Sequence, residues 1–319
     1  MSPRQRRWLI AAIAVVLLLL ILLGLALANE NFNWRLFILT FMNGLTLAAL
    51  YFLVASGFTL VFGLMRNVNL AHGSLFLLGA YIGYSVADVS GSWFLGVAAG
   101  FASMALAGVL LQVLVFRWME GQELRQTLVT IGISIVVADI MLWIWGGGSY
   151  QFTPPEFLFG ATPFPLVRFY PTYRLVLLGI AIVIGIGLWL LMNRTRIGMM
   201  IRAGVDDRAM LAAAGVNVQR VFVIVFALGA GLAGFAGVVG GTALSIAPGE
   251  DVRYLLASLI VVIVGGMGSI GGAALGALLI GLAEQFGLAY SPTYGVVYTF
   301  LIMVGVLAFR PQGIVGRTS

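Results

Sequence analysis

Long uninterrupted apolar runs decide what this chain can fold into. The first, Trp8 to Leu25, holds 18 residues without a charge, and comparable runs return along the sequence. A helix needs about 20 apolar residues to cross a hydrocarbon core roughly 30 Å thick. Backbone groups at that depth must be hydrogen-bonded within the protein, which leaves helices or closed barrels. The two-residue alternation of a membrane barrel is absent. The expected fold class is therefore an all-α polytopic membrane protein of about ten transmembrane helices. The spans are expected at 8–28, 36–64, 70–87, 92–116, 126–146, 174–193, 221–245, 255–268, 271–287 and 294–309.

Charge orients these spans. With the N-terminus inside, cytoplasmic segments hold 13 arginines, among them Arg4, Arg66, Arg117, Arg194 and Arg310. The outer segments hold Arg35, Arg168, Arg174 and Arg253. That bias is the positive-inside pattern, and it puts both termini in the cytoplasm. Arg4-Gln5-Arg6-Arg7, an apolar run and Ala26-Leu27-Ala28 together resemble a signal peptide. The length of the run favours a retained span, so 1–35 is expected to be an extra N-terminal span on one permease-like unit covering 1–319.

Only 9% of residues are charged, no cysteine is present, and every basic residue is arginine. Without lysine there is no phosphate-loop ATPase and no Schiff-base chemistry. One histidine and no cysteine exclude a Cys/His zinc site and a disulfide framework. Basic residues at span ends meet lipid head groups, so the positive charge does not point to nucleic acid.

The remaining charge is concentrated in 194–220, which carries seven of the 28 charged side chains: Arg194, Arg196, Arg202, Asp206, Asp207, Arg208 and Arg220. Within it, VDDRAMLAAAG (205–215) puts acids first, then alanine-rich helix formers, then Gly215 as a C-cap. The outer segment 147–172 contains five prolines and seven aromatics and is expected to be an ordered surface loop with a short helix.

Glycines recur every four residues at Gly229, Ala233, Gly237 and Gly241 and at Gly268, Gly272 and Gly276. Small residues at that spacing let helices approach closely, within the chain or against a partner. The run Gly265 to Gly272 should interrupt its helix at membrane depth, where irregular backbone is tolerated against protein or a water-filled path. His72, Asp139 and Glu284 are ionisable residues within spans, the latter two nearer the outer ends.

From residue 43 onwards the chain resembles a known family. Asn43-Gly44, the Gly63-Leu64-Met65 turn, Asn69-Leu70-Ala71-His72-Gly73 and Gly79-Ala80-Tyr81 are similar to the H-type permease subunit of branched-chain amino acid ABC importers. VVIVGGMGSIGGAALGALL (261–279) and Phe309-Arg310-Pro311-Gln312-Gly313-Ile314 continue the resemblance over roughly 36–317. Ser74 departs from it, standing where an acidic residue is expected.

The resemblance implies a non-enzymatic permease in a bacterial cytoplasmic membrane. Its implied partners are a second homologous permease, two cytoplasmic ATP-binding subunits and an external solute-binding protein. ATP and Mg would be bound by the partner ATPases and no cofactor by this chain. The loop 194–220 would couple to the ATPase through Arg202, Asp206, Asp207, Arg208 and Gly215. Pairing with the second permease is expected to use glycine-faced helices, with Gly237 and Gly272 as contacts. Candidate path residues are Asn43, Thr46, Asn69, His72, Ser74, Gly265, Gly266 and Gly268, with Ser56 and Thr59 as further polar contacts.

No arginine lies near a span centre, which suits a solute that is net neutral with an apolar side chain. A small neutral amino acid is the expected cargo, with urea, short amides or aromatic acids as the alternative. An intramembrane protease lacks its parts: Ser269 lies far from His72, and Asp139 sits in Val-Ala-Asp-Ile. An ion-coupled secondary transporter would need an acid relay near the midplane.

Overall fold

The computed structural model describes residues 33–65, 69–119, 121–164 and 167–316, together with positions 9, 12–16, 18, 20 and 24. The span expected at 8–28 thus lies largely outside the described residues. Eleven α-helices follow from residue 33, among the described residues. They are α1 (Trp34–Met65), α2 (His72–Ser90), α3 (Trp93–Leu114), α4 (Glu123–Trp145) and α5 (Thr172–Arg194), then α6 (Arg196–Asp206), α7 (Arg208–Ala213), α8 (Val218–Ala243), α9 (Glu250–Gly265), α10 (Ile270–Tyr290) and α11 (Gly295–Phe309). Six of them, α1, α3, α4, α5, α8 and α10, are long and apolar enough to cross a membrane. The chain is an all-α polytopic membrane protein with one small β element.

That β element is a difference from the sequence reading. Segment 147–172 contains a 3-10 turn at Glu156–Leu158, but also an antiparallel hairpin of β1 (Ala161–Phe164) and β2 (Arg168–Pro171), in register Ala161↔Pro171 to Phe164↔Arg168. Its prolines 163 and 171 lie in a two-stranded ribbon, where each strand has a free edge that tolerates a missing N–H.

Polar residues start the helices where the sequence places them. Ser92, Thr195, Asp207, Asn217 and Ser269 each accept a hydrogen bond from the backbone N–H three residues on, satisfying a donor that has no helical partner.

The described chain divides into two compact units, with boundaries inside α1, the 3-10 turn Glu156–Leu158, α5 and α9. The first comprises residues up to Phe52, Leu158–Ile182 and 260 onwards. In it Gly44 faces Leu282 and Gly281 faces Ala48, so the start of α1 lies close against α10. The Tyr51 hydroxyl donates to Glu284 Oε2 at 2.7 Å. Glu284, which the sequence puts nearer the outer end of its span, is buried, because the glycines draw α1 over it. Asp139, on α4, is exposed.

The second unit, Leu53–Phe157 and Val183–Leu259, is organised by α8. Gly229 faces Gly57 of α1, Gly234 faces both Gly79 of α2 and Gly100 of α3, and Gly237 faces Phe76 and Ala80. These contacts are backbone against backbone, so no side chain larger than hydrogen fits at the crossings. Gly237 and Gly272, expected to meet a partner permease, are therefore already occupied: Gly237 by α2, and Gly272, in the first unit, by Gly265. A four-residue repeat marks a close-packed stripe without saying which helix covers it.

Candidate functional site

The charged segment folds as two helices rather than one over 205–215. Thr195 caps α6, and Arg202 Nη1 donates to Asn193 Oδ1 at 3.0 Å. Asp207 then leaves helical geometry (φ −153, ψ 108), and its Oδ1 accepts from Met210 N at 3.0 Å. The break follows from that choice: an aspartate that caps the next helix cannot continue the previous one. Asp206 is the last residue of α6.

α7 ends on Gly215 in the left-handed conformation (φ 80). Gly215 N donates to Ala212 O at 2.9 Å and Val216 N to Leu211 O at 3.3 Å, the paired bonds of a Schellman stop. The Arg208 guanidinium stacks 5.0 Å from the Phe222 ring centroid, tying α7 to α8. Leu211 is buried, whereas Ala209, Met210, Ala212 and Ala213 are exposed. The result is a capped, anchored turn of helix with an apolar outer face.

In the second unit, the turn before α2 is held by side-chain bonds. Asn69 Oδ1 accepts from Ala71 N at 3.1 Å, and Leu70 N donates to Thr130 Oγ1 of α4 at 3.2 Å. His72 is wholly buried, its Nε2 is 3.0 Å from the Val54 carbonyl, and its ring meets Phe58 edge-on. Ser74 Oγ lies 2.8 Å from Ser134 Oγ and donates to Asp251 Oδ2 at 3.2 Å. Ser56 bonds the Leu53 carbonyl at 2.7 Å, while Thr59 Oγ1 has no partner among the described residues.

In the first unit, α9 ends at Gly265 and α10 begins at Ile270. Gly266 (φ 107) and Gly268 (φ 75) take left-handed conformations that other residues adopt only with strain. Helix ends leave carbonyls unpaired, and the C-terminal segment supplies donors: Ile314 N to Val264 O at 2.9 Å and Val315 N to Gly265 O at 3.0 Å. Arg310 Nη1 closes the segment on Ile314 O at 3.2 Å. Near the hairpin, Tyr170 OH is 2.8 Å from Thr46 Oγ1 and donates to Asn43 Oδ1 at 3.2 Å, and Arg174 Nη1 donates to Asn43 Oδ1 at 2.8 Å.

The candidate path residues thus fall into separate clusters. Asn43 and Thr46 come together through Tyr170, and Asn69, His72 and Ser74 share one turn. Gly265 and Gly266 meet the C-terminal tail, and Gly268 lies in the same helix break. Sequence reasoning missed Tyr170, Arg174, Ser134 and Asp251. Each joins its cluster across at least 60 residues of chain, a distance over which helical periodicity carries no information.

Comparison with known proteins extends the geometry. The family model described as branched-chain amino acid transport system / permease component matches residues 40–307. The chain is 29% identical over 291 residues to the high-affinity branched-chain amino acid transport system permease protein BraD of Pseudomonas aeruginosa, covering 86% of this chain and 94% of the relative. It is 28% identical over 298 residues to LivH, the corresponding permease protein of Escherichia coli, covering 88% and 96%. The ribose import permease protein RbsC of Escherichia coli is 26% identical over 242 residues, 73% of each chain. No solved structure matches the chain.

Proposed function

The chain belongs to the permease component family of branched-chain amino acid transport systems and is a permease subunit of an ABC importer; from that membership we propose that it forms the translocation path for branched-chain or other small neutral amino acids. The single observation that carries the cargo is that its permease relatives BraD and LivH, named for branched-chain amino acids, align along 94% and 96% of their lengths. On this reading residues 1–319 form one permease domain of ten spans in the cytoplasmic (inner) membrane of a bacterium, with both termini in the cytoplasm. It pairs with a second homologous permease, two ATP-binding subunits that hold ATP and Mg, and an external binding protein that delivers the solute. The chain itself binds no cofactor and catalyses no reaction.

Residues 194–220 are the coupling loop. A capped α7 with an exposed apolar face of Ala209, Met210, Ala212 and Ala213 fits a groove in another protein better than it fits water. Asp207 and Gly215 fix its ends, Arg202 and Arg208 fix its attachment to the spans, and Asp206 closes the preceding helix. The path residues of this reading are Asn43, Thr46, Asn69, His72, Ser74, Gly265, Gly266 and Gly268.

Reconstitution tests the proposal. Proteoliposomes holding the permease pair, the ATPases and the binding protein should take up radiolabelled leucine, isoleucine or valine only with ATP inside. Robust uptake of urea, an aromatic acid or ribose with none of these three would overturn the cargo while leaving the permease assignment intact.

A further inference from the structure

Asp251, on the first turn of α9, is a buried acid without a countercharge. It is 3% exposed, and among the described residues no basic side chain lies within ion-pair distance of it; the ion pair found there joins Arg253 to Glu250 at 3.4 Å. The amino end of α9 offers partial positive charge, which a full carboxylate exceeds. Its hydrogen-bond donor is Ser74, whose single proton is contested by Asp251 Oδ2, Ser134 Oγ and the Ser134 carbonyl, at 3.2, 2.8 and 3.4 Å.

A second, independent observation comes from Tyr81. It stands two helical turns beyond Ser74 on the same helix and is fully buried; its hydroxyl has no hydrogen-bond partner among the described residues. Its ring stacks on Trp145 at 5.0 Å and meets Tyr150 edge-on at 5.8 Å. A carboxylate and two serine hydroxyls thus meet from α2, α4 and α9 with no positive charge among them, and the buried Tyr81 hydroxyl on the same α2 helix is left without a partner among the described residues.

We propose that Asp251, Ser74, Ser134 and Tyr81 form an acceptor site for a protonated primary amine, the α-ammonium of the transported amino acid. This rests on the amino acid cargo proposed above and names the group that selects it. An ammonium brings three donors, no acceptor and one positive charge, which is what the cluster lacks. Urea and ribose bring no charge and leave Asp251 uncompensated. The site also accounts for Ser74: the acid expected at that position is supplied instead from α9, 177 residues further along the chain. Burial of an acid is costly unless a ligand or partner shares its charge. The groups are closed to solvent in this structure, and the transport cycle opens them.

Leucine uptake by the reconstituted complex tests the site. Asp251→Asn should lower uptake at least about tenfold, the loss of one charge-assisted bond, while assembly and binding-protein-stimulated ATP hydrolysis persist. Asp251→Glu should retain most uptake. Ser74→Asp combined with Asp251→Asn returns the acid to the cluster from the other helix and should recover most of the loss, which a purely structural role for Asp251 does not predict. Uptake by Asp251→Asn within about twofold of wild type, a margin below the energy of one hydrogen bond, overturns the site. So does an assembled double variant no better than the single one, or uptake that depends on Na⁺ as the occupant. If Asp251→Asn fails to assemble, Tyr81→Phe decides: a several-fold rise in KM for leucine supports the site and an unchanged KM overturns it. A wild-type complex that carries ribose but no leucine instead identifies the cargo reading as the point of failure.

Discussion

Gly234→Ala should destabilise the subunit although alanine is the better helix former. A Cβ at residue 234 would lie 2.6 Å from Met104 Cγ and 2.9 Å from Met104 Cβ, where ordinary contact is 3.4–4 Å. Met104 Cγ can rotate away. Its Cβ cannot, nor can the Gly100 carbonyl, which the new methyl would overlap. The shortfall at Met104 Cβ alone is about half an ångström, so α3 and α8 must part by at least that much. A gap of about 0.5–1 Å forfeits a quarter to a half of each dispersion contact along the crossing. Overpacking of this kind costs about 1–3 kcal/mol, against a propensity gain of about 0.5–1 kcal/mol. A net loss of about 1–2 kcal/mol is expected.

Gly132, Gly179, Gly187 and Gly305 supply the control, since each is helical and has nothing within 4 Å of an added methyl. Alanine at any of these should be neutral or slightly stabilising. Unfolding of the purified complex in detergent, followed by tryptophan fluorescence, would rank the variants. The reasoning is refuted if Gly234→Ala unfolds at the wild-type temperature or above, or if Gly179→Ala falls as far as Gly234→Ala.

Three further outcomes are expected. Changing Asp206, Asp207 and Arg208 to alanine should leave the complex in the membrane but reduce uptake per ATP hydrolysed, and unaltered coupling in proteoliposomes would refute the coupling role. Gly215→Ala should cost about 1–2 kcal/mol through its left-handed backbone (φ 80), visible as faster protease cleavage of the 194–220 loop. Val315→Pro removes the donor to Gly265 O and should cost about 1–3 kcal/mol, read as a lower unfolding temperature than that of Val315→Ala.

Much of this was legible in the sequence because it depends on near neighbours. Apolar run length fixed α1, α3, α4, α5, α8 and α10 to within a few residues. Gly215 announced a helix end, since a left-handed glycine lets the last turn satisfy its own carbonyls. The split at Asp207 was less legible because aspartate serves equally as a first-turn acid and as a cap. The hairpin at 161–171 was hidden by its prolines, which argue against strands except at free edges.

What only the tertiary structure decided is which faces meet. In a soluble protein the apolar stripe of a helix points to the core, but lipid is as apolar as leucine, so that cue is lost in spans such as α5 and α10. The glycine repeats declare close approach and leave the partner open; the fold gives Gly234 to α2 and α3, and Gly237 to α2. The same holds for polar residues. Asn43 with Arg174, Tyr51 with Glu284, Ser74 with Asp251 and the C-terminal tail with the end of α9 are pairings across 50 to 233 residues. In each case the sequence supplied a group that cannot stay unpaired in an apolar medium, and the packing of the helices chose its partner.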